Sequence, residues 1–220
     1  MLSLGTQAAR VLARCENKTA KEVSRPYLGT TRRFARNVEI FGEDEPATHV
    51  YRVVSGAVRA FRILHDGRRQ IMAFYLPGDL FGLEYGNSHV NSAEAICESQ
   101  ISVSRLSASS GFAPNSADAF PDLWPLARDE WRRMQDHMML LVRGAEERVA
   151  HFLLEMSRRS GTTASVTLPM SRQDIGDYLG LTIETVSRTL THLEQAGFIA
   201  LRSSRQIDLC NRSALARSSA

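Results

Sequence analysis

Residues 171–197, SRQDIGDYLGLTIETVSRTLTHLEQAG, carry denser local instructions than any other stretch of the chain. Ser171 with Asp174 three positions later forms a capping-box variant, and Gly180 closes the same segment as a helix C-cap does. Thr182 then caps a second helix that runs to Ala196 and is terminated by Gly197. Before the pair, SVTLPM reads as a strand; after it, FIALRSSRQIDL reads as two strands about a polar turn. Helix, glycine-containing turn, helix and then hairpin is the winged form of the helix-turn-helix, whose second helix enters the major groove of DNA.

Within the second helix, Glu184, Ser187 and Arg188 stand in an i, i+3, i+4 relation and share one face, while Val186, Leu190 and Leu193 share the other. The chemistry of the first set matches base edges. A carboxylate accepts from cytosine N4, a guanidinium bridges guanine O6 and N7, a hydroxyl serves either way, and Ile183 can rest on a thymine methyl. Ile183, Glu184, Ser187 and Arg188 are therefore the expected base readers, and Ser171, Arg172, Thr182, Thr185, Arg202 and Arg205 the expected phosphate contacts. The plainer alternative is an i, i+4 surface ion pair between Glu184 and Arg188, worth about 0.3–0.5 kcal/mol.

Upstream, residues 37–106 switch to short β-branched and aromatic stretches, with Gly56, Gly67 and Gly78 recurring every eleven residues. Such punctuation predicts a β-barrel or sandwich. Asp66-Gly67, flanked by AVRAFRIL and RQIMAFYL, predicts a hairpin. Residues 1–30 read as a loose arm with one helical turn near residues 8–12, and 107–120 as a connecting loop. After Pro125, Trp131, Met134, Met138, Leu141, Ala145, Arg148 and Phe152 alternate by three and four, the spacing of a coiled-coil seam. A helix so patterned predicts self-association through Trp131, Met134, Met138, Leu141 and Ala145. Leu140, Val142 and Val149, off that line, could instead pack it on its own β-domain.

The predicted architecture is α+β: an arm (1–30), a β-roll of jelly-roll type (31–120), a dimerisation helix (121–143) and a winged helix-turn-helix (144–220), with apolar material for two separate cores. The longest apolar run, Ile71 to Leu76, falls far short of the roughly 20 residues of a membrane helix. No membrane association and a cytoplasmic location follow as expectations. Cys15, Cys97 and Cys210 are too few and scattered for a disulfide framework or a four-thiolate metal site. The ends are basic, with eight basic against two acidic groups in residues 1–36 and ten against eight in 143–220, while 37–142 holds nine against fourteen. Of 27 basic residues 25 are arginine, the residue suited to bidentate contact with phosphate and guanine. The histidines (His49, His65, His89, His137, His151 and His192) show no short metal-ligand spacing, and no nucleophile elbow or phosphate-binding glycine loop appears. No catalytic residue, cofactor or metal is expected. An enzyme on the roll would have to draw on Glu84, His89 and Glu94.

Over residues 37–212 the chain resembles the superfamily of the cyclic-AMP receptor protein and the fumarate-nitrate regulator, and within it the FixK-type branch. The resemblance rests on the glycine-punctuated roll, the long helix and LPMSRQDIGDYLGLTIETVSRTLTHLEQAGFI. It implies a homodimer that binds a near-palindromic DNA site and activates or represses transcription by touching RNA polymerase, activation being the expected sense. The E-x-x-S-R pattern, here Glu184, Ser187 and Arg188, is the variant associated with TTGAT half-sites. The resemblance also implies promoters of low-oxygen respiration and nitrogen fixation. Two departures bear on sensing. Cyclic-nucleotide binders carry Arg-Ser-Ala where this chain has Asn91, Ser92 and Ala93, so the cyclic phosphate would be buried without its cation. The oxygen-sensing branch holds an iron-sulfur cluster on four cysteines, mostly near the N-terminus, where this chain has Cys15 alone. An effector-independent regulator is expected; the alternative is a roll that binds some other small molecule.

Overall fold

The computed structural model describes residues 29–84, 86–105 and 120–218. The expected arm up to residue 28, the helical turn near residues 8–12, Cys15, and the loop over 107–119 lie outside the described residues; Thr30 already belongs to a strand.

Among the described residues eight antiparallel strands form the roll: β1 (Thr30–Phe34), β2 (Glu39–Phe41), β3 (His49–Ser55), β4 (Val58–Ile63), β5 (Arg69–Tyr75), β6 (Leu80–Phe81), β7 (Ser92–Ala95) and β8 (Ser99–Arg105). They make two sheets, ordered β1-β8-β3-β6 and β2-β7-β4-β5. The three evenly spaced glycines turn the chain between them. Gly56, Gly67 and Gly78 have φ of 85°, 81° and 98°, a region closed to most side chains, and Gly67 closes the β4–β5 hairpin by donating to the Leu64 carbonyl at 2.8 Å. Between the sheets, Val53, Val58, Ala93 and Ile101 pack with Phe41, Tyr51 and Phe81.

Sheet β2-β7-β4-β5 is apolar on its other side as well. Ile71 and Phe74, three apart, would face opposite sides of a regular strand. A register shift between Ala60 and Phe61, whose partners are Ala73 and Ile71, places Met72 as an extra residue and returns both to one face. There they join a single core with Ala57, Ile96 and the C-terminal helices. Two separate cores were expected; instead the C-terminal domain shares its core with the outer face of the roll.

Among the described residues the helices are α1 (Phe120–Leu140), α2 (Ala145–Arg159), α3 (Arg172–Leu179), α4 (Ile183–Gln195) and α5 (Arg212–Ser218). A small sheet completes the C-terminal domain: β9 (Ser165–Thr167), β10 (Ala200–Leu201) and β11 (Gln206–Asp208), ordered β10-β11-β9. Helix α1 begins at Phe120, ahead of Pro125, because the fixed φ of proline is helical and Pro121 sits in the first turn, where its missing N–H would have had no partner.

A continuous seam from Trp131 to Phe152 is corrected by a break over residues 141–144. Gly144, extended at φ −64° and ψ 159°, caps α2, and Glu146 and Glu147 in its first turn favour a fresh helix start there. Ala145 therefore opens α2 rather than prolonging α1. Leu141 lies in the break, half-buried, and its Cδ2 comes within 3.7 Å of a Cβ built at Gly180. Arg148 donates to the carbonyls of Arg143 and Leu179, both at 2.8 Å, and Phe152 is buried in the C-terminal core. Off the seam, Leu140 and Val149 are buried, whereas Val142 is 80% exposed.

Candidate nucleic-acid interface

The helix pair forms by the capping expected of it. Ser171 Oγ accepts from the Asp174 amide at 3.1 Å, and Asp174 Oδ2 accepts from the Ser171 amide at 2.9 Å. Gly180, at φ 64°, ends α3, and Thr182 Oγ1 accepts from the Thr185 amide at 3.2 Å to start α4. Gly176 lets the turn close. Its carbonyl accepts from Leu181 at 3.0 Å, and a Cβ there would lie 2.6 Å from the Leu181 carbonyl oxygen.

Helix α4 divides as its periodicity demands. Val186, Leu190 and Leu193 are buried, while Ile183, Glu184 and Arg188 are exposed and Ser187 is half-buried beside them. The four expected base readers thus lie along one open face that starts at the helix N-terminus. The Glu184 carboxyl is held below its ordinary value by its own backbone amide first and by the Thr182 hydroxyl next, with Arg188 contributing least.

Of the expected phosphate contacts, Ser171, Thr182 and Thr185 cluster at the N-termini of α3 and α4 with their hydroxyls engaged in the caps: Ser171 Oγ also donates to Asp174 Oδ2 at 2.7 Å, and Thr182 Oγ1 lies 3.1 Å from Thr185 Oγ1. Arg172, half-buried, donates from Nη1 to Ser187 Oγ at 3.2 Å, and its Nε is buried without a protein partner. Arg202, exposed on the wing, donates from Nε to Asp208 Oδ2 at 2.6 Å. The half-buried Arg205 sits at the wing's turn, its carbonyl accepting from Leu168 at 2.8 Å.

On α1, Trp131 (65% exposed), Met134 (57%) and Met138 (65%) are open, together with Met139 (63%). In the roll, His89 stacks on Phe41 with ring centroids 3.6 Å apart and lies 3.3 Å from Glu84, but Glu94 turns to Arg59 at 2.7 Å. Glu84, His89 and Glu94 do not converge. Among the described residues no group of three or more His, Cys, Asp or Glu could hold a metal ion, and no helix is long and apolar enough to cross a membrane.

Residue-level reading of the sequence missed three features: the Asp208 partner of Arg202, the close approach at Gly176, and the grip of Arg59 and Arg69 on Asp174. A glycine inside a helix signals the second; no local spacing signals the third, which joins residues 105 and 115 apart.

A β-roll followed by a winged helix-turn-helix, with an acid, a hydroxyl and a guanidinium on the open face of its second helix, defines a DNA-binding transcription regulator. The model of the Crp-like helix-turn-helix domain matches residues 147–218, and that of the cyclic nucleotide-binding domain matches residues 31–110. The chain is 53% identical over 212 residues to the nitrogen fixation regulation protein FixK of Azorhizobium caulinodans, covering 90% of this chain and 84% of that one. It is 34% identical over 190 residues to the fumarate and nitrate reduction regulatory protein of Escherichia coli K12, covering 81% and 74%. The solved structure of FixK2 from Bradyrhizobium japonicum superposes with a TM-score of 0.82 at 49% identity, covering 88% of this chain and 98% of that one. The chain belongs to the Crp/Fnr superfamily, in its FixK-type branch. It is related to regulators of nitrogen fixation, and its relatives are transcription regulators rather than enzymes.

Proposed function

We propose that the protein acts in the cytoplasm as a homodimer that reads a two-fold-symmetric DNA site with TTGAT-type half-sites and activates transcription through RNA polymerase. The observation that carries this reading is the open face of α4, where Glu184, Ser187 and Arg188 stand side by side above a buried Val186-Leu190-Leu193 face. The four readers Ile183, Glu184, Ser187 and Arg188 touch bases; Ser171, Arg172, Thr182, Thr185, Arg202 and Arg205 hold the phosphates.

Dimerisation through α1 is supported by four large apolar side chains left open on one helix, Trp131, Met134, Met138 and Met139. Leu141 and Ala145 flank this seam without extending it. The functional division follows: residues 31–120 as the roll, 121–143 as the stem and 144–220 as the reader. Half-sites one helical turn apart, about 34 Å, suit two such readers.

Effector independence is supported by the interior of the roll. Phe41, Tyr51, Phe81 and Tyr75 form a chain of ring contacts with centroids 5.0 to 6.1 Å apart, and His89 stacks on its end. At Gly82, in the stretch where cyclic-nucleotide binders carry their Gly-Glu pair, a Cβ would lie 2.6 Å from the Tyr51 ring. Side chains pack closely around Gly82, and Asn91 supplies no cation for a phosphate. Control of low-oxygen respiration and nitrogen-fixation genes is in keeping with the FixK relatives.

Selection of bound duplexes from a random pool tests the reading. An inverted repeat of TTGAT-like half-sites is expected from the protein without added metabolites. Recovery of single, asymmetric motifs would remove the dimer from the account, and binding that required a metabolite would remove effector independence.

A further inference from the structure

Two arginines of the roll reach the first helix of the DNA-binding motif. Arg59 on β4 donates from Nη1 to Asp174 Oδ1 at 2.9 Å and from Nη2 to Glu94 Oε1 at 2.7 Å. Arg69 on β5 donates from Nη2 to the same Asp174 oxygen at 2.7 Å and lies 2.8 Å from Asp177 Oδ2. Arg59 is 7% exposed and Asp174 3%, so this array is closed to water at its centre.

Its position makes it more than a contact between domains. Asp174 also completes the capping box of α3, so the arginines grip the first turn of that helix. One residue of the same turn, Arg172, bonds Ser187 on α4. A short path of fixed contacts therefore runs from the roll to the reading face.

The other end of β5 holds the stem. Tyr75 donates its hydroxyl to Glu130 of α1 at 3.3 Å, and Asp79, in the following turn, pairs with Arg133 of α1 at 3.4 Å and with Arg159 of α2. Along the chain, stem and reader are joined by the break at residues 141–144. Strand β5 is thus a strut with the stem at one end and α3 at the other. A buried charge array is a poor source of net stability, but it penalises every arrangement that leaves one of its charges unpaired. It suits a part whose task is to hold an angle.

We propose that Arg59 and Arg69 are specificity-determining positioning residues: by gripping Asp174 and Asp177 they fix the angle of α4 relative to the α1 stem, and so the spacing between half-sites that the protein accepts. The inference rests on the dimeric reading proposed above. One base pair inserted between half-sites moves them apart by about 3.4 Å and rotates them by about 34°. The array, beside the shared apolar core and the stacking of His137 of α1 on Tyr178 of α3 at 4.1 Å, resists that rotation; a loosened array resists it less.

The test uses the full chain and duplexes carrying two inverted half-sites at the selected spacing, one base pair shorter, and one longer, together with a duplex carrying one half-site. The wild type is expected to favour one spacing by about tenfold, within the range by which distant sites are commonly coupled. Arg59→Gln is expected to reduce that preference to about threefold or less, while affinity for the single half-site stays within about twofold of wild type. Arg59→Lys, which keeps a charge, should recover part of the preference. Because Arg59→Gln could fail to fold, Arg69→Gln, at the more open edge of the array, is measured in parallel and should relax spacing in the same direction. A spacing optimum retained unchanged in every folded variant overturns the proposal alone. A wild type with no spacing optimum overturns it together with the dimeric reading.

Discussion

Arg172 on α3 and Ser187 on α4 are bonded, Nη1 to Oγ at 3.2 Å, so a residue expected to hold a phosphate and a residue expected to read a base satisfy one another in the free protein. The pair ties the two helices of the motif together before DNA arrives. Under the proposed reading, DNA binding redistributes this hydrogen bond rather than creating one from two solvated groups, and Ser187 meets the groove already held.

Arg188 projects from α4 into solvent, where a guanidinium can meet guanine O6 and N7. Arg188→Ala is expected to cost about 1–3 kcal/mol on the selected site and to relax preference at one guanine, with random DNA little affected. Competition binding against single-base variants of the site measures it; equal losses on specific and random DNA would reject a base-reading role.

Arg202 is held by Asp208 at 2.6 Å. Arg202→Ala should weaken binding to all sequences and lower the slope of log affinity against log salt by about 1. Asp208→Asn should act in the opposite sense on random DNA, because it releases the guanidinium and removes a negative charge near the phosphates. A salt titration of both variants reads the two slopes together.

The open face of α1 gives a prediction about assembly. Met138→Asp, at a side chain 65% exposed, is expected to shift the protein to monomer in sedimentation at micromolar concentration, with circular dichroism of the fold unchanged. Unchanged sedimentation would place self-association elsewhere.

Gly176→Ala sets two effects against each other. The helix gains about 1 kcal/mol of propensity, but the new Cβ meets the Leu181 carbonyl oxygen at 2.6 Å, backbone that cannot swing aside. Overpacking costs about 1–3 kcal/mol, so a net loss of up to about 2 kcal/mol in urea unfolding is expected. Stabilisation would mean that the turn between α3 and α4 yields.

For Asp174, burial pushes the carboxyl up, but hydrogen bonds from the Ser171 hydroxyl and amide and the charges of Arg59 and Arg69 outweigh it, leaving the carboxyl below its ordinary value of 3.8. A carboxyl depressed in the folded state adds stability above its unfolded value and loses it as pH falls through the folded one. The urea midpoint of wild type should therefore drop between pH 5 and pH 3 by more than that of Asp174→Asn, with most of the difference below 3.8. Parallel curves would show that Asp174 is not the group being titrated.

The helix pair was legible because its instructions are local. Ser171, Asp174, Gly180, Thr182 and Gly197 act on backbone atoms within a few residues of themselves, and the structure shows each at the end it marks. Gly56, Gly67 and Gly78 were legible for the same reason: a left-handed turn needs a residue without Cβ wherever it occurs. The stem was only partly legible. An apolar period of three and four runs through Trp131, Met138, Ala145 and Phe152, but periodicity does not register a helix that stops and restarts, as this one does at Gly144.

The sequence by itself determined the elements, their caps and the composition of the reading face, because these follow from side chains acting on their near neighbours. Tertiary structure alone decided that Asp174 would serve a helix cap and a charge array at once, and that Ile71 and Phe74 would share one side of a sheet. The physical reason is distance along the chain. Arg59 and Asp174 are separated by 115 residues, and their pairing exists only once a bulge in the roll has turned an apolar face toward the C-terminal helices and excluded water between them.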